Sequence, residues 1–152
     1  MKTVKLEAFH IIGIAVQTTN KDGKSAQDIG ALWQKFMSEN IIGQIPNKVD
    51  NEIYSVYTDY EGDYTQPYMT LLGCKVTSLD EIPEGMVGKS FDESTYLKYT
   101  AKGNLADNII YDAWSKIWNE DLKRTYVADF EVYGAKAQNP ADAEVAIYVG
   151  VE

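Results

Sequence analysis

The chain has 152 residues, enough for one domain with a substantial core or two half-sized units, and too few for an enzyme assembled from several full-length domains. Fourteen Lys plus Arg stand against 23 Asp plus Glu, giving a formal net charge of −9 with Arg124 as the lone arginine. That sign disfavours a direct nucleic-acid partner and suits organic cations. Hydrophobic residues at 45% and charged residues at 24% describe a folded chain rather than a disordered one.

Residues 2–18 read as one extended segment, with Val4, Leu6 and Ala8 on one parity and a denser apolar run from Ile11 to Val16. Ser25 is placed as a helix N-cap with Asp28 three residues on, and Ile29, Leu32, Trp33 and Phe36 repeat at helical spacing, predicting a helix to about Glu39. Two β-rich runs, 52–60 and 68–77, flank Glu61-Gly62-Asp63 as a hairpin connection. Residues 78–88, with Pro83 and two glycines, read as a linker. The same order then recurs. A β-rich run spans 89–101, a helix capped by Asn104 spans 105 to about 122, and strands follow at 125–134 and 144–151.

The helices align, Trp33-Gln-Lys-Phe-Met-Ser-Glu39 against Trp114-Ser-Lys-Ile-Trp-Asn-Glu120, and Glu52-Ile-Tyr54 corresponds to Glu131-Val-Tyr133 in the strands after them. The expected fold is α+β: a single domain, 1–152, built of pseudo-repeats 1–80 and 81–152. Its duplicated β-α-β-β units form a curved antiparallel sheet with two helices on one face and a ligand cleft on the other. Parity places Ala128, Phe130 and Val132 on one face of their strand, under the helices, and Glu131 and Tyr133 on the opposite one. In the last strand Val145, Ile147, Val149 and Val151 form the apolar face, so Tyr148 is expected to join Glu131 and Tyr133 on a mixed acidic and aromatic surface.

A carboxylate between Phe130 and Val132, walled by rings, seeks a cation, and each aromatic face adds about 0.5–2 kcal/mol of cation–π attraction. Parity alone leaves the plainer alternatives open: an exposed strand glutamate, or one paired with a lysine or Arg124. Trp114 and Trp118 are neighbours four apart on one helix, as core packing or as rim of a cleft. Tyr54, Tyr57, Tyr68, Tyr96, Tyr99 and Tyr111 are further wall residues, or half-buried sheet residues. Glu52, the counterpart of Glu131, reads as a surface residue.

The segment Asp129-Phe130-Glu131-Val132-Tyr133 follows Trp114-Ser-Lys-Ile-Trp118 and Arg124-Thr-Tyr126 and precedes Ala143-Glu-Val-Ala-Ile-Tyr-Val-Gly150. The combination resembles the GyrI-like effector-binding superfamily over nearly the whole chain, most of all its integron-cassette and AraC-type members. The resemblance implies that Glu131 sits at the bottom of an aromatic cleft that takes lipophilic, cationic compounds. Tyr133, Tyr148, Trp118, Trp114, Tyr68 and Tyr111 are read as the further ligand-binding residues beside it. It also leaves a hydrolase, with the glutamate as general base, and an inhibitor presenting an acidic surface as alternative readings.

His10 is the sole histidine, so a His-rich metal site is out, and it reads as structural, as does Cys74 within an apolar run. Neither phosphate-cradling glycine motif is present, and Asp59, Glu61 and Asp63 read as a solvated turn rather than a calcium loop. The expectation is therefore no cofactor, no metal and no catalytic residue, a small-molecule partner, and a monomer or homodimer. With one cysteine, no apolar run near a membrane span and no leader pattern at the N-terminus, the expected location is the cytoplasm.

Overall fold

The computed structural model describes residues 2–63 and 65–152. Eleven elements matter here: β1 (Lys2–Leu6), β2 (Phe9–Thr18), α1 (Lys24–Ser38), α2 (Ile41–Gln44), β3 (Ile53–Thr58), β4 (Tyr68–Val76), β5 (Val87–Phe91), β6 (Ser94–Gly103), α3 (Ile109–Trp118), β7 (Arg124–Tyr133) and β8 (Ala143–Val151). The strands form one antiparallel sheet of eight in the order β1-β6-β8-β7-β3-β4-β2-β5. Within it, β6-β8-β7 repeats the arrangement β2-β4-β3, and the two sets meet at the β3–β7 seam, where Ser55 lies opposite Glu131 and Tyr57 opposite Asp129.

The expected single segment 2–18 is two strands, divided at Glu7 and Ala8. Two linking residues reach about 11 Å from Leu6 to Phe9 when extended. Yet β1 and β2 stand six strand spacings apart in the sheet order, about 29 Å if the sheet were flat. The sheet must therefore roll. The β5–β6 connection at Asp92 and Glu93 imposes the same constraint, joining the far edge to the penultimate strand of the near edge. Gly13 and Gly73, directly opposed in β2 and β4, permit the bend, because a Cβ on either would overlap the other strand's backbone.

The face rolled inward carries Phe9, Ile11, Val56, Leu71, Phe91, Tyr96 and Phe130 as a buried cluster. The outer face is covered by helices. Leu32 and Phe36 of α1 pack on Ile12, Ile14, Leu72 and Cys74, while Trp114 and Ile117 of α3 pack on Ala101, Ile147 and Val149. Glu131, level with Ile147 across the β7–β8 pair, lies on this helix-covered face. The two-residue alternation is as the sequence predicts, but the faces are exchanged: Phe130 and Val132 point into the roll, and Glu131 points under the helices. The reason is that the roll supplies its own apolar filling, so the residues placed beneath helices by their hydrophobicity are satisfied by the opposite sheet edges instead.

Local signals also shift. α1 begins at Lys24 behind Gly23, which takes a left-handed φ of 72°, so Ser25 is inside the helix and caps nothing. Asn104 caps a single 3₁₀ turn, accepting from Ala106 N–H at 2.9 Å, and α3 proper starts after Asn108 and ends at Trp118, shorter than expected. His10 bonds Ser90 Oγ at 2.7 Å, and Cys74 is a buried free thiol raised by burial to about 11. Asp59 pairs with Lys89 at 2.7 Å, and Glu61 accepts from Gln17 at 2.9 Å.

Candidate functional site

The helices α1 and α3 do not close over the β3–β7 seam, and two hollows open between them. One, of about 620 Å³, is lined by Asn20, Ser25, Tyr57, Tyr60, Tyr68, Tyr111, Trp114, Trp118 and Arg124, among others. The second, about 720 Å³, is lined by Trp33, Met37, Ile53 and Tyr133, and both share Leu105 and Ile110 as the partition. Together they form a two-lobed cleft of the size that holds a drug-sized molecule.

Glu131 is buried, 1% exposed, behind residues that line the lobes. Tyr57 OH donates to its Oε2 at 2.8 Å, Trp114 Nε1 donates to the same oxygen at 2.6 Å, and Tyr133 OH donates to Oε1 at 2.5 Å. Tyr57 and Trp114 belong to the walls of the first lobe and Tyr133 to the second, so the carboxylate touches both lobes through its donors. All three donors are uncharged, and the ion pairs among the described residues leave Glu131 out. Burial raises its pKa above the usual carboxylate value, while the bonds from Tyr133, Trp114 and Tyr57 pull the other way. The two effects are physically distinct: removal from water disfavours the anion, and three aimed dipoles make the anion tolerable.

The rings around it form a layered wall. Tyr57 meets Tyr68 and Trp114 edge to face at 5.9 and 5.7 Å, Tyr60 meets Tyr68 at 5.6 Å, and Trp33 meets Tyr133 at 4.9 Å. Tyr68 is fixed by its OH donating to Asn20 Oδ1 at 2.7 Å. Burial holds Tyr57, Tyr60 and Tyr133 well above the ordinary phenol value, with Glu131 adding to this at Tyr57 and Tyr133 and Asp129 at Tyr60, so these hydroxyls are donors throughout the physiological range.

Of the residues singled out from the sequence, Glu131, Tyr133, Trp114 and Tyr68 are brought together here. Trp118 and Tyr111 stand at the outer wall in mutual contact, 6.0 Å between ring centroids, with Tyr111 63% exposed. Tyr148 is not among them. It lies on the rolled-in face, stacked on Phe130 at 4.7 Å, because β8 residues of even number share that face with even-numbered β7 residues. Glu52 lies at the edge, half-buried, with its carboxyl raised by burial. Tyr57 was one of many tyrosines in the sequence and is a direct partner of Glu131. Its register opposite Asp129 and its parity with Ser55 identify it once the β3–β7 pairing is known. Tyr60, Trp33 and Asp129 carry no sequence signal of their own, since long-range strand pairing and helix placement put them here. Among the described residues no group of three potential metal ligands gathers, and no helix is long and apolar enough to cross a membrane.

The profile of a family described as integron-associated effector binding protein, Cass2, matches residues 2–151. The chain belongs to this Cass2 family. Among solved structures, this Cass2-family chain is similar to the integron cassette protein VCH_CASS2 from the mobile metagenome of Vibrio cholerae, 28% identical with a TM-score of 0.76, covering 99% of this chain and 95% of that one. SAV2435, solved bound to tetraphenylphosphonium, shares the fold with a TM-score of 0.82 at 14% identity, covering 99% and 93% of the two chains. A curated relative, YobU of Bacillus subtilis strain 168, is 25% identical over 151 residues, 97% of this chain and 94% of that protein, and its name makes it a candidate transcriptional regulator. The chain is thus a member of an effector-binding family, on a fold shared with the integron cassette protein and SAV2435.

Proposed function

We infer that the Cass2-family domain captures lipophilic organic cations in the two-lobed cleft, with Glu131 as the counter-charge and the surrounding Tyr and Trp rings as the apolar lining. One observation supports this reading: a buried carboxylate with no basic partner among the described residues, held by three neutral donors that belong to the walls of an aromatic cleft. An anion in that setting is stabilised by its donors but not neutralised. A cation resting on the Trp114 and Tyr57 rings supplies the missing charge across a poorly screened path and gains about 0.5–2 kcal/mol per ring face besides. A soft, weakly hydrated cation suits the site better than an ammonium or metal ion, because it loses little hydration on entry. That SAV2435 was solved with a phosphonium of this type supports the chemical class. The YobU name supports a regulatory use of the bound state.

The raised pKa of Glu131 favours a second reading, general-base catalysis of hydrolysis, but both of its oxygens are already engaged by donors. Calorimetric titration with tetraphenylphosphonium, alongside quenching of the Trp emission, tests the binding reading. Wild type binds and Glu131→Gln loses affinity by about a hundredfold. Equal binding by the two proteins would refute the assigned counter-charge, and release of a cleaved product from an ester-bearing cation would favour the enzyme.

A further inference from the structure

Arg124, the lone arginine, opens β7 and lines the lobe that holds Tyr57 and Trp114. Its side chain is 5% exposed, and the carboxylate it pairs with, on Asp129, is fully buried. The pair uses only part of the guanidinium: Nη2 donates to Asp129 Oδ2 at 2.7 Å, and Nε and Nη1 are buried without an acceptor among the described residues. Asp129 is otherwise occupied. Tyr60 OH donates to the same Oδ2 at 2.5 Å, and the Gly150 N–H donates to Oδ1 at 2.8 Å. The guanidinium carbon lies 4.3 Å from the Tyr126 ring centre and 5.9 Å from that of Trp114. Tyr126 itself has a φ of 55°, an uncommon backbone for a bulky residue, within a bulge of β7 between Arg124 and Asp129. The strand thus departs from its ladder where Arg124 is presented. Unmet N–H groups on a buried cation are costly, and a protein that needed Arg124 only to neutralise Asp129 could use both arms of the fork on it.

We propose that Arg124 is the second recognition group of the cleft, its Nε and Nη1 donors taking a carbonyl or carboxylate oxygen of an amphoteric ligand whose cationic centre lies on the Trp114 and Tyr57 rings above Glu131. The inference rests on the cation-binding reading and narrows it, from any lipophilic cation to one that also carries an acceptor. Trp114 sets the spacing, since its Nε1 is 2.6 Å from Glu131 and its ring faces Arg124, so the two poles of the ligand are separated by about one indole. A bare cation leaves the guanidinium donors unmet and suffers its repulsion. An amphoteric ligand answers both charges.

The test compares butyltriphenylphosphonium with carboxybutyl-triphenylphosphonium, which share the cation and differ in the terminal carboxylate, by calorimetry at neutral pH. Wild type is expected to bind the carboxylate probe about tenfold more tightly. The double variant Arg124→Met/Asp129→Asn removes both charges together, so that Asp129 is not left as an unpaired carboxylate, and is expected to bind the two probes equally. Should that variant fail to fold by circular dichroism, Arg124→Lys serves, because it keeps the charge but not the planar fork; the preference then falls at least about threefold. Equal binding of both probes to wild type, or a preference unchanged in the variants, overturns the role of Arg124 and leaves the cation reading standing. Binding of neither probe overturns both.

Discussion

The two faces of the sheet are built from the same kinds of residue and do different things. On the rolled-in face Phe130 stacks on Tyr148 at 4.7 Å and on Tyr54 at 5.8 Å, and Phe9 meets Phe130 edge to face at 5.4 Å. On the helix-covered face Tyr57, Tyr60, Tyr133 and Trp114 turn their polar ends onto two buried carboxylates, Glu131 and Asp129. The first arrangement is held by area and ring geometry. The second gives up apolar burial to keep a carboxylate out of water, and the proposed function rests on that cost: aromatic enrichment alone does not distinguish a pocket from a core, whereas a buried carboxylate without an ion pair points to a site.

Substitutions on the two faces should therefore separate stability from binding. The largest effect is expected of Phe130→Ala, which empties the centre of the rolled-in cluster and lowers unfolding free energy by about 3–5 kcal/mol in urea melts, with ligand affinity retained by the folded fraction. Glu131→Gln should do the reverse. Cation affinity falls by about a hundredfold, or about 2.7 kcal/mol, while unfolding free energy stays within about 1 kcal/mol of wild type, because a neutral amide of the same shape removes a buried charge. Tyr133→Phe deletes one donor to Glu131 and should raise its pKa further and weaken cation binding by about tenfold, read by calorimetry. The smallest effect is expected of Tyr148→Phe on the far face, where affinity is unchanged and stability moves by less than about 0.5 kcal/mol.

The pH dependence sharpens the contrast. Desolvation raises Glu131 in the native chain, so the folded protein holds a proton that the unfolded chain has lost. Its contribution to stability is full below the ordinary glutamate value of about 4.3 and declines as pH rises through the interval up to the raised native value. Urea midpoints of wild type and Glu131→Gln, differenced across that interval, should show this decline. A flat difference would mean that the hydrogen bonds from Tyr133, Trp114 and Tyr57 cancel the cost of desolvation and leave the native value unraised.

Much of this was legible in the chain before its structure, and the failures have a common cause. The β-α-β-β order, the helix around Trp33 and Phe36, and the alternation along residues 128–133 follow from local periodicity, which a sequence displays directly. Glu131 stood out because a carboxylate flanked by Phe130 and Val132 contradicts its neighbours. What periodicity does not carry is which face a helix covers. Glu7 and Ala8, two residues with no turn signature, send the chain from one end of the sheet to the other and roll it, and that exchanged the faces and moved Tyr148 away from Glu131. Tyr57 stood undistinguished among the candidate wall tyrosines, and the role of Asp129 was hidden, for a related reason: their places follow only from the antiparallel register of β3 and β7, far apart in sequence.

The central claim is that a cation in the cleft is balanced by the ionised Glu131 carboxylate. Calorimetry of tetraphenylphosphonium binding in buffers of differing ionisation enthalpy, across the pH interval in which Glu131 titrates, measures that balance as protons released per cation bound. The account predicts that wild type releases a fraction of a proton that peaks near the native pKa and binds more tightly as pH rises through it, and that Glu131→Gln releases none. Binding without proton release and with no dependence on pH across that interval, matched by the variant, would contradict it.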